Sequence, residues 1–127
     1  MSNSNDTYPE SNPYFNRIER APYELGQLLL QLPDYFSAFA PMEPDVLLKA
    51  SAAADHARNA IDTLMHGLEA LGRIMFVATV NQHHVLDVET LADLGCLIQH
   101  IAVEAQFLQE TERSMKFAVQ RQNGGMD

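Results

Sequence analysis

Residues 44–80 read PDVLLKASAAADHARNAIDTLMHGLEALGRIMFVATV, and their spacing decides the fold. Leu47, Ala50, Ala54, Ala57, Ile61, Leu64, Leu68, Leu71, Met75 and Ala78 recur at intervals of three and four without a break. That is a heptad seam sustained over more than four repeats, the pattern of one long helix. A flanking line of Ala53, Ala60, Gly67 and Ile74 widens the expected buried stripe beyond a bare two-stranded seam. Lys49, Asp55, His56, Asn59, Asp62, Thr63, His66, Glu69 and Arg73 fall on the expected outer side. At about 1.5 Å per residue this rod is roughly 54 Å long.

Prolines explain why the rod starts where it does. Pro13, Pro22, Pro33, Pro41 and Pro44 punctuate the first third, and none follows Pro44. Proline lacks the amide donor and blocks helix interiors, so the early part holds only short helices and the later part permits long ones. Segments 23–32 and 34–40 are the expected short helices. Tyr35, Phe36 and Phe39 in the second are expected to cap the core.

Downstream, 81–86 reads as a polar connector. Asp87 then suits a helix N-cap, with Glu89 and Asp93 in or near the first turn. A second seam follows through Leu91, Leu94, Ile98, Ile101, Ala105, Leu108, Met115 and Val119, broken once at Glu112. Gly124 and Gly125 mark its end. Two long helices joined by a short loop share their seams only as an antiparallel pair. The expected fold is therefore all-α. A helical hairpin of about 44–80 and 87–122, with one or two short N-terminal helices, completes a four-helix bundle as a homodimer. Residues 1–13 are expected to form a flexible arm, 14–123 one helical domain, and 124–127 a frayed tail.

A dimer is expected because one hairpin leaves apolar lines over; the alternative is a monomeric bundle in which the leucine-rich helix lies across the hairpin. Phe76, Val77 and Val80 surround the loop end of the first helix. Cys96, Val103, Phe107 and Phe117 lie off the second seam, with Leu97 at its shoulder. The seven besides Leu97 are the expected surface for a second copy or another protein, since large apolar patches mark partner sites. Cys96 reads better as a small hydrophobe than as a nucleophile. Glu112 reads either as a register-setting polar seam residue, with Arg58 its natural counter-ion, or as a point where the hairpin splays and the carboxylate meets water.

Composition narrows the function. The 127 residues are 46% apolar, enough for a core, and carry 8 Lys+Arg against 17 Asp+Glu, a net charge of −9. Such acidity disfavours direct contact with nucleic acid or an anionic membrane, both of which need a basic surface. One cysteine, no signal-like start and no long apolar run fit a cytoplasmic chain. No catalytic motif or phosphate loop is present, so no catalytic residue and no cofactor is expected. His66 and Glu69 lie at a similar distance from the loop to His100 and Glu104, though off the seams, which gives a rival reading as a metal- or ligand-binding bundle. His83-His84 is a weaker candidate of the same kind, and solvated histidines explain both sets. Asn12-Pro13-Tyr14-Phe15 has the look of a short binding motif, or of a turn whose aromatics pack back on the core. The principal expectation is a small acidic, non-enzymatic interaction module that regulates or inhibits a partner protein. A third reading is a nucleic-acid mimic, of the anti-defence type, acting on a basic partner.

Overall fold

The structure is a computed structural model that describes residues 12–33, 36, 41–81 and 86–122. Three helices dominate the described residues: α1 (Ala21–Gln31), α2 (Pro44–Val80) and α3 (Val88–Gln122), with a 3-10 turn (Ile18–Arg20) leading into α1. No strand occurs among the described residues, and no helix among them is long and apolar enough to cross a membrane.

Each helix begins where local chemistry allows it. Pro44 opens α2 at a first-turn position, where its missing donor costs nothing. Asp87 starts α3 by accepting the Thr90 amide at 2.7 Å, the N-cap bond the sequence predicts. That bond holds the Asp87 carboxyl below its ordinary range. Helix α1 begins at Ala21, ahead of the predicted start. It is reached through Arg17, whose left-handed backbone (φ 51°) turns the chain. Of the second short segment only Phe36 is described. It packs against the core, and its amide donates to the Pro33 carbonyl. The rest of 34–40, the arm up to residue 11, His83-His84 and the 124–127 tail lie outside the described residues.

Helices α2 and α3 pack antiparallel along their lengths, as the seams require. Arg58 lies opposite Glu112, and Ser51 and Ala54 lie opposite Lys116 and Val119. The N-terminal segment runs alongside α2. Asn12 Nδ2 donates to Leu48 O at 2.7 Å, Tyr14 Oη to Asp45 at 2.5 Å, and Asn59 Nδ2 to Ile18 O at 3.2 Å. Having climbed to the level of Asn59, the chain turns and α1 runs back down toward Pro44.

The core therefore sits in the half of the hairpin remote from its tip, here called the proximal half. Leu25 and Leu28 of α1 bury against Ala50, Ala53, Ala57 and Ile61 of α2 and Leu108 and Met115 of α3. Alanine is the best helix former, and it lets backbones approach closely. The alanine-rich stretch 50–60 thus serves both the helix and the layer packed on it.

Two expectations are corrected here. His56, read as an outer-face residue, is fully buried, because the N-terminal segment covers that face and sets the Phe15 ring 4.9 Å from the imidazole. The expected flexible arm includes Asn12, yet Asn12 is docked on α2.

Candidate functional site

Beyond Ile61 on α2 and before Ala105 on α3 no described residue is buried. The seam residues Leu64, Leu68, Leu71 and Met75 of α2 and Leu94, Ile98 and Ile101 of α3 are only half covered there. The cause is one of length. At about 1.5 Å per residue α1 spans roughly 16 Å, against about 55 Å for α2, so the third layer stops at the level of Leu64. The distal half is a two-helix arm with its flanks open. Ile74, Phe76, Val77, Val80 and Val103 are each at least 59% exposed. Phe107, Phe117 and Cys96 are also exposed.

Where the third layer ends, a groove of about 540 Å³ opens between all three helices. Ile18, Ala21 and Pro22 form one wall, Ala60 and Leu64 the floor, and Asn59, Thr63, Glu19 and Glu104 the rim. An apolar floor with a few polar rim groups is the usual make-up of a binding concavity.

The polar seam position is filled by an ion cluster. Glu112 is buried and accepts Lys116 Nζ at 3.0 Å, one helical turn on, with Arg58 Nη1 of α2 at 3.6 Å. Arg58 in turn holds Asp62 at 2.8 Å, and this contact keeps the Asp62 carboxyl below its ordinary range. The cluster tethers α3 to α2 at one level, which fixes the register of the two rods.

The four candidate metal ligands do not converge. His100 pairs with Glu104 at 3.6 Å along α3, while Glu69 is held by Arg73 at 3.0 Å along α2. No three ligating side chains gather into a metal-sized cluster among the described residues. The Asn12–Phe15 motif packs inward. The Asn12 side chain accepts the Tyr14 amide, its carbonyl accepts the Phe15 amide, and both aromatics pack on the core.

Ile74 is expected in the buried stripe, and Leu97 at the shoulder of the apolar line one hairpin leaves over. Both are exposed. The available signal was the short proline-bounded span of α1, which cannot cover a rod more than three times its length. Compared with known proteins, the chain matches no protein-family model, no curated protein and no solved structure.

Proposed function

We propose that the chain is a non-enzymatic protein–protein interaction module. Two copies join through their distal hairpins to complete a four-helix bundle, and the assembled dimer regulates another protein by occluding part of its surface. One observation carries this reading. The distal arm presents large apolar side chains on a two-helix scaffold, with no third layer among the described residues. Surface of that kind is stable in water only when something covers it. An exposed apolar surface acts by occupying a partner's surface, which is why inhibition is the form of regulation proposed.

The test is the mass in solution. The wild-type chain is expected at twice its 14.2 kDa by light scattering at micromolar concentration. Val77→Glu, which places a charge on the open arm far from the core, is expected at the single-chain mass with unchanged helicity. A wild-type chain at single mass, or a Val77→Glu chain that still pairs, would overturn the reading.

A further inference from the structure

The open face that matters is the one α1 would cover if it were longer. Thr63 and Glu104 line the groove beside Ile18 and Pro22, so they mark the α1 side of α2 and of α3. Stepping by three and four residues keeps to one helix face. From Thr63 that face continues through Gly67, Ala70, Ile74 and Val77. From Glu104 it continues through His100, Leu97 and Asp93. These seven lie toward the tip, in the stretch where no third layer occurs among the described residues.

Three features fix what can sit there. First, α1 and the 3-10 turn occupy this layer along the proximal half. A second hairpin laid parallel to the first would run into them, whereas one laid head to tail overlaps only the distal arms, over Leu64–Val80. Second, that overlap suits a dimer. Sixteen residue steps give about 24 Å, and two helices side by side are about 20 Å wide. The face thus projects roughly 500 Å², and its rugged accessible surface approaches the ~800 Å² per partner of a standard interface. Third, the face is self-complementary under the head-to-tail two-fold. The midpoint of Leu64–Val80 is Gly72, and Leu97 lies at that level on α3. Rotation about this point sets Val77 of one copy over Gly67 of the other and Ile74 over Ala70, large against small. It also brings Asp93 of one copy level with His100 of the other. A Cβ at Gly67 would meet no heavy atom within 4 Å, so the hole is open in a single copy.

Resting on the self-association proposed above, we infer that two copies pair head to tail through this face. Leu97 lies on the two-fold axis, Val77 of each copy sits over Gly67 of the other, and each tip ends against the Ile18–Pro22 shoulder of its partner. Phe76 and Phe107 lie on other flanks and stay free for another protein.

Two variants test the register separately from the pairing. Leu97→Cys in a Cys96→Ser background is expected to form a disulfide-linked dimer on mild oxidation. Wild-type Cys96, turned about 100° away, is expected to link far more slowly. Gly67→Gln fills the hole with a good helix former, so the folded chain keeps its helicity. Its dimer dissociation constant is expected to rise about tenfold or more, the effect of overfilling a packed contact. A wild-type dimer whose Leu97→Cys form does not link faster than Cys96, or whose Gly67→Gln form pairs unchanged, overturns this register and leaves self-association standing. A wild-type chain at single mass overturns both.

Discussion

His56 is the residue at which periodicity misleads. Its spacing places it off the α2 seam, yet the N-terminal segment lies over it. Neither ring nitrogen finds a hydrogen-bond partner among the described residues. Burying a polar group without a partner costs stability, and an apolar replacement of similar size removes that cost. His56→Leu is therefore expected to raise stability by about 1 kcal/mol in urea titration. A loss of stability would mean that the imidazole is satisfied by something bound beside Phe15. Tyr14 and Asp45 pin the same segment. Their hydrogen bond raises the Tyr14 hydroxyl above its ordinary 10.0 and lowers the Asp45 carboxyl below its ordinary 3.8. Asp45 thus contributes stability above pH 3.8 that is lost as pH falls through its lower folded value. Tyr14 contributes stability below pH 10.0 that is lost as pH rises through its higher folded value. The stability gap between wild type and Tyr14→Phe should be widest between those limits and close at both ends. A gap independent of pH would show that the bond does not form in solution. Nothing in the sequence pairs residues 14 and 45, because the contact depends on how the segment lies along α2.

At the scale of the elements, the two rods and their antiparallel pairing are legible in unbroken seams, the proline-free run and the Asp87 cap. Their partial burial is not, because a heptad pattern reports which side faces the partner helix and says nothing about a third layer. The ion cluster at Glu112 is half legible. The break in the seam stands out, and Arg58 is the nearest cation of α2, whereas Lys116 supplies the shorter contact by lying one turn along α3 itself. The mid-helix glycines Gly72 and Gly95 belong to the same scale. A Cβ at either would meet nothing within 4 Å, and glycine in a helix interior costs roughly 0.5–1 kcal/mol relative to alanine. Gly72→Ala and Gly95→Ala are each expected to raise the midpoint of thermal unfolding. A lowered midpoint in either variant would indicate that α2 and α3 approach each other more closely at that level than the structure places them.

For the whole molecule, the division into a three-layered proximal half and a two-layered distal arm follows from the 11-residue length of α1 against the 37 residues of α2. The proximal half holds the core and fixes the register of the rods. The arm carries the surface on which the proposed function rests. Most stability in such a design comes from tertiary packing of helix faces, not from intrinsic helix propensity. The arm's own backbone should therefore open more easily than the proximal helices until a second copy adds the missing layer. Amide hydrogen exchange measured at low and high protein concentration tests this most directly. The account predicts that amides of 66–78 and 92–102 become strongly protected as concentration rises, while those of 50–61 and 108–118 exchange slowly throughout. Protection in the arm that does not change with concentration would contradict it.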